Sequence, residues 1–265
     1  MYDVNCAGCH GKDGRGDGPA APYLFPKPRD FSRGLFKMIS SEKSSLPTEA
    51  DLLRVIAEGM PGSAMPSWEL LKKNDLQAIA RYIKTLIKYW DEDEEEWLNL
   101  FEVQGEPVPL KIPAVPPATA ERIARGQLLF REVECWKCHG DTGKGDGPTA
   151  PTLRDSWNNP ILPRDFTAGI FKGGLRPVDV YLRITLGIPG TPMPGHGVLT
   201  ESQRWDLTYY VLSLIRPGAQ KLNRQRRKTI TVKRTKGKLP DAPDDKAWQE
   251  IEPTHVALMP LWWRH

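Results

Sequence analysis

"CAGCHGKDGRGDGP" at residues 6–19 and "CWKCHGDTGKGDGP" at residues 135–148 are nearly the same fourteen residues written twice, 129 positions apart, and together they use all four cysteines of the chain. The repetition extends well beyond them. Ala21-Pro22-Tyr23-Leu24 answers Ala150-Pro151-Thr152-Leu153, Pro28-Arg29-Asp30-Phe31 answers Pro163-Arg164-Asp165-Phe166, and Gly34-Leu35-Phe36-Lys37 answers Gly169-Ile170-Phe171-Lys172. Further on, Gly59-Met60-Pro61-Gly62-Ser63-Ala64-Met65-Pro66 answers Gly187-Ile188-Pro189-Gly190-Thr191-Pro192-Met193-Pro194. Loop lengths differ while the landmarks persist. The 265 residues, 39% of them hydrophobic, therefore divide into two ordinary cores rather than one large one.

Each copy closes on a helical pattern: Leu76, Ile79, Ala80, Ile83 and Ile87 in the first, and Leu207, Tyr210, Val211, Leu214 and Ile215 in the second, where Pro217-Gly218 stops it. Shorter helices are expected to open at Thr48, with Asp51 three residues on, and near Pro177, a residue suited to a first helical position. Residues 119–131 (TAERIARGQLLFR) predict a helix leading into Cys135. The first copy has only five residues ahead of Cys6, so its lead-in helix is expected to be missing and the chain to be cut at the front. No convincing run of alternating residues precedes residue 228. The expected fold is all-α, with long ordered loops between few helices. Five prolines in residues 102–118 (EVQGEPVPLKIPAVPPA) predict a stiff, extended linker. The expected domains are then 1–101 and 119–216, followed by a tail at 217–265.

Two thiols separated by two residues sit about one helical turn apart on one side of the backbone. Zinc, a disulfide or a porphyrin could use that pair. A structural zinc site usually joins two such pairs, whereas a full domain separates these; a thioredoxin-like redox pair needs a βαβ context, which is absent. Neither rival uses His10 or His139. Covalent haem uses all three residues: Cys6 and Cys9, like Cys135 and Cys138, add to vinyl groups as thioethers, and His10 or His139 becomes the fifth iron ligand. Methionine is the natural sixth ligand, because thioether with imidazole favours reduced iron. Met193 is the only methionine between residues 140 and 258, with His196 as its rival. The first copy offers Met38, Met60 and Met65, and superposing the copies puts Met65 on Met193, Met60 on the apolar Ile188, and Trp68 on His196. The glycine loops resemble phosphate-cradling loops only superficially, since no strand precedes and no GK[ST] follows. Their glycines are expected to let the chain turn close to the haem edge.

On these residues the sequence resembles a tandem dihaem member of the class I cytochrome c family over residues 1–216. The resemblance implies two class I cytochrome c domains and two covalently attached haem c groups, held by Cys6, Cys9, Cys135 and Cys138 and ligated by His10 with Met65 and His139 with Met193. It implies that a backbone carbonyl at Pro22 or Pro151, each twelve residues after its histidine, accepts from the histidine Nδ1. Arg29 and Arg164 are further candidates for cofactor contact, and Trp68 and His196 for facing a haem propionate.

The resemblance implies an electron carrier with no catalytic residue, working between redox-partner proteins and not with nucleic acid, in a respiratory chain or as a subunit of a larger oxidoreductase. The alternative is a dihaem peroxidase-like enzyme in which one distal ligand dissociates. It also implies the periplasm, with any signal peptide removed or lost, because Cys6 precedes any apolar segment. No stretch approaches a membrane span. The net charge of +4 is mild but unevenly spread: residues 91–96 are DEDEEE, and residues 216–238 carry ten Lys/Arg and no acid. In the tail, residues 229–234 (TITVKR) predict a strand. The run from Leu239 is similar to the opening of the haem-b-binding domain in electron-transfer subunits of ethylbenzene dehydrogenase and related periplasmic molybdenum enzymes. That similarity implies an incomplete β-type segment and a periplasmic molybdenum oxidoreductase as partner, with Trp248, Trp262 and Trp263 poorly buried and His255, Met259 and His265 binding no haem.

Overall fold

The computed structural model describes residues 1–42 and 45–219. The strand, β-type segment and haem-free residues expected in the tail lie outside the described residues. Those described are mainly helical, as expected, and both halves belong to one compact unit.

The first half begins with two single-turn helices, α1 (Tyr2–Asn5) and α2 (Ala7–His10), the second carrying Cys9 and His10, with Cys6 as its N-cap. A long loop leads to α3 (Glu49–Glu58), which opens where Thr48 and Asp51 predict: Asp51 N–H donates to Thr48 Oγ1 and Thr48 N–H to Asp51 Oδ2, both at 3.1 Å. Next comes α4 (Lys73–Thr85), whose Ile79, Ala80 and Ile83 pack with Leu52, Ile56 and Phe31 in the first core. Ile87, at the end of the expected periodicity, is buried but lies beyond the helix.

Two expectations for this half are corrected. A lead-in helix of one turn, α1, is present rather than absent: buried Tyr2 packs on Tyr82, with ring centroids 4.9 Å apart, and donates from its hydroxyl to Gly11 O at 2.8 Å. Strands also occur before residue 228. β1 (Lys88–Asp91) and β2 (Glu96–Asn99) form an antiparallel hairpin with Trp90 opposite Trp97. Four residues a side are too few for alternation to register in the sequence, and the acidic block that reads as a solvated surface forms the turn, with Asp91 Oδ1 accepting from Asp93 and Glu94 N–H. Helix α5 (Leu100–Gln104) then straddles the expected boundary at 101/102 and buries Phe101 in the first core.

Beyond α5, residues 105–118 carry no helix, and they are seated against both halves. Leu110 N–H donates to Ser40 O at 2.6 Å, and Ile112 packs on Tyr181, Trp205 and Tyr209 of the second half. That half has a full lead-in helix, α6 (Ala120–Glu132), capped by Thr119, then α7 (Trp136–His139), α8 (Pro177–Leu186) and α9 (Glu201–Ser213). Gly126 sets the crossing of α6 on α9: a Cβ there would lie 2.1 Å from Asp206 O, so only glycine admits so close an approach. Beside it Phe130 meets Tyr210 edge to face at 5.3 Å, and Arg122 and Arg125 both bind the buried Asp206 carboxylate at 2.7 Å. Leu129, Phe130, Val180, Ile184, Leu207 and Val211 complete the second core.

Candidate functional site

Each core opens into an apolar cleft, with about 1130 Å³ of empty space in the first half and 1850 Å³ in the second, mouths included. The first is lined by Cys6, Cys9, His10, Met65 and Trp68, the second by Cys135, Cys138, His139, Met193 and His196, so the structure gathers these candidates into two equivalent groups.

Equivalent hydrogen bonds place them. The methionine loops share one register: Met60 N–H donates to Met65 O and Ile188 N–H to Met193 O, both at 3.1 Å, while Ser63 and Thr191 hydroxyls close the same turn. Trp68 N–H donates to Ile56 O and His196 N–H to Ile184 O. Met65 therefore occupies the position of Met193, and Trp68 that of His196.

The carbonyl that orients each histidine is not at the expected proline. His10 Nδ1 lies 3.1 Å from Arg29 O, and His139 Nδ1 3.4 Å from Arg164 O. Pro22 and Pro151 instead occupy exposed 3₁₀ turns outside the clefts, where Pro22 O accepts from Lys27 Nζ. The acceptors instead follow Pro28 and Pro163, the later prolines of each copy, and only the folded chain brings those carbonyls to the histidines. A carbonyl only accepts, so Nδ1 carries the proton and Nε2 keeps its lone pair toward the cleft. Burial reinforces this, lowering the His10 pKa and pulling that of His139 down to about 4.

The repeated Pro-Arg-Asp-Phe landmark is thereby explained. Its Asp caps its own turn through Ser32 or Thr167 N–H, and its Phe stacks on the histidine, His10 on Phe31 at 4.5 Å and His139 on Phe166 at 4.4 Å. In the sequence Phe31 and Phe166 stand only as repeated landmarks, and nothing local marks them as the rings against the imidazoles. The glycine loops are also corrected: none of their residues lines a cleft. They turn against the landmark's backbone, where a Cβ at Gly16 or Gly145 would meet Pro28 O or Pro163 O at 2.7 Å.

The thiols do not form a redox pair of the reactive kind. Burial pushes the Cys135 thiol up to about 11 and raises Cys6, whereas a reactive thiol needs a lowered pKa. Among the described residues no group of three or more His, Cys, Asp or Glu could hold a metal ion, which leaves zinc without a ligand set. A porphyrin fits: the walls are apolar, the thiols and imidazole stand together, and all three guanidinium nitrogens of Arg29 are buried at the first cleft without an acceptor among the described residues. Arg29 lines the first cleft and Arg164 the second.

A family model described as Cytochrome c matches residues 1–86 and 123–214. Among solved structures, the chain is similar to one from the Kuenenia stuttgartiensis reducing HAO-like protein complex Kustc0457/Kustc0458, at 38% identity and a TM-score of 0.75, over 81% of this chain and 94% of that one. No curated protein matches it.

Proposed function

The chain belongs to the cytochrome c family, and from that premise we propose that it is a dihaem carrier of single electrons between redox-partner proteins. The family binds haem c covalently. One observation carries the count of two: each half presents Cys-x-x-Cys-His and a Met-Pro loop, in one hydrogen-bonded register, to its own apolar cleft. Cys6 and Cys9 would hold one group and Cys135 and Cys138 the other, with His10 and Met65, and His139 and Met193, as the side chains that would ligate the iron. When bound, a six-coordinate haem supplies a reversible one-electron couple and no open position for substrate. The polypeptide's part is to fix the imidazole through Arg29 O and Arg164 O, to hold the thioether sulfur in its loop, and to exclude water. Because both clefts offer a methionine in the same position, the carrier reading is favoured over a peroxidase that needs one open iron.

The relative's place in a complex supports a role as an electron-transfer subunit of an oxidoreductase. Covalent haem of this kind is completed outside the bacterial cytoplasmic membrane, which supports a periplasmic location, and no helix among the described residues is long and apolar enough to cross a membrane. The test is a reduced-minus-oxidised spectrum of the full chain with its haem stoichiometry. Two covalent haems per chain are expected, and any other count refutes the reading.

A further inference from the structure

The residues that line the two clefts also meet one another, and they do so reciprocally. Arg183 of the second half donates to Lys37 O at 2.8 Å and to Ile39 O; Arg54 of the first half donates to Gly173 O, next to Lys172, at 3.0 Å. Arg164 donates to Gly62 O in the first methionine loop at 3.4 Å, while Arg29 lies against Gly190 in the second. A Cβ on either glycine would meet the opposing Nη1 at 2.5 Å. Arg29 and Arg164 are equivalent residues, as are Gly62 and Gly190 and as are Lys37 and Lys172. The halves therefore meet as two protomers do across a two-fold axis.

This contact gathers Arg29, Lys37, Arg164 and Lys172. Burial first, then the other cations, lowers both ammonium groups, Lys37 to about 8 and Lys172 well below its ordinary value. The neighbouring carboxylates are already engaged: Asp30 by Ser32 and Trp157, Asp155 by the N–H groups of Trp157 and Asn159, and Asp165 by Thr167. Among the described residues none of the four cations makes an ion pair. Asp155 and Asp30 attract Arg29, Asp155 attracts Lys37 and Asp165 attracts Arg164, yet none lies within ion-pair distance, so the buried cluster has room for further anions held directly against it. Its position identifies them. Arg29 lines the first cleft, Arg164 and Lys172 the second, and Lys37 both.

We propose that Arg29, Lys37, Arg164 and Lys172 form one carboxylate-binding seam shared by the two haem sites, in which Lys37 serves both cofactors and tunes their reduction potentials together. The proposal rests on the two-haem reading. The acid side chains of two haems would supply the carboxylates, and arginine's planar fork suits them. A cation held near an iron favours its reduced, less positive state, and Lys37, in the wall of both clefts, acts on both.

Redox titration of the full, haem-loaded chain tests this, read as midpoint potentials rather than activity. Lys37→Met should shift both reduction equilibria toward oxidised iron by up to about tenfold, which is about 59 mV for a one-electron couple, and Lys37→Arg should restore both. Lys37→Gln provides a second probe should Lys37→Met fail to accumulate, and it too should lower both midpoints. If either neutral variant lowers one midpoint only, or neither, while two covalent haems are retained, the shared seam is overturned. A wild-type chain with other than two covalent haems overturns the two-haem reading instead.

Discussion

One acceptor decides what His10 and His139 can do. With Nδ1 held by Arg29 O or Arg164 O, each imidazole is fixed in tautomer and direction, and its stacked phenylalanine leaves it one orientation. The same arginine that orients its histidine through the backbone sends its side chain to the other half's methionine loop, so one residue links ligand geometry to the seam between halves. The methionine register yields a direct prediction. Met65→Ala should abolish the sulfur-to-iron charge-transfer band of one haem and lower its potential, whereas Met60→Ala should leave the band and cost about 2–5 kcal/mol of packing. Near-infrared absorption and redox titration of the two variants check this, and the opposite pattern would mean that Met60 is the ligand.

At the scale of elements, the crossing of α6 on α9 holds the second half. Gly126→Ala would ordinarily gain about 1 kcal/mol from helix propensity. Here the added Cβ meets a backbone oxygen at 2.1 Å, which no side-chain rotation relieves. The clash outweighs the propensity, and a net loss of about 1–3 kcal/mol is expected, read as a lower denaturant midpoint with unchanged slope. Among the described residues the hairpin β1–β2 has no counterpart in the second half. Trp90 and Trp97 are 46% and 63% exposed, a large apolar area behind an acidic turn. Electron exchange with a basic partner should slow as ionic strength rises, and slow likewise when Glu92, Asp93, Glu94 and Glu95 are changed to their amides. Stopped-flow rates indifferent to both would make the turn a solubility feature.

For the molecule as a whole, the two halves are locked by a loop that only one of them has. Residues 151–163 span twelve steps where residues 22–28 span six. The extra length carries Trp157 onto the first half, where its ring lies 4.3 Å from the Arg29 guanidinium and its Nε1–H donates to Asp30 at 2.9 Å. A cation–π contact of about 0.5–2 kcal/mol and a hydrogen bond of about 1 kcal/mol are lost together in Trp157→Ala. The expected result is earlier loss of contact between halves, seen as thermal unfolding that broadens or splits in calorimetry while haem content is unchanged. A single sharp transition at the wild-type temperature would show that Trp157 does not hold the halves together.

What the sequence determined by itself is the chemistry whose parts are close in the chain. Cys6, Cys9 and His10 lie within five residues, as do Cys135, Cys138 and His139, and the eight-residue methionine loops align without gaps, so repeat, cofactor class and helix starts at Thr48 and Pro177 were all legible there. The hairpin escaped because its strands are shorter than a periodicity needs, and the orienting carbonyls escaped because a carbonyl leaves no mark in the side-chain sequence. Tertiary structure alone decided the rest. Arg54 meets Asp179 across 125 residues, Trp157 meets Asp30 across 127 and Arg183 meets Lys37 across 146. Contacts at such separation depend on how two separately packed cores come to rest against each other, and no local pattern encodes that placement. The cationic seam is made of residues that each half displays as repeated landmarks, but its charge density exists only where the halves meet, because only there does burial remove the water that would otherwise keep those charges apart.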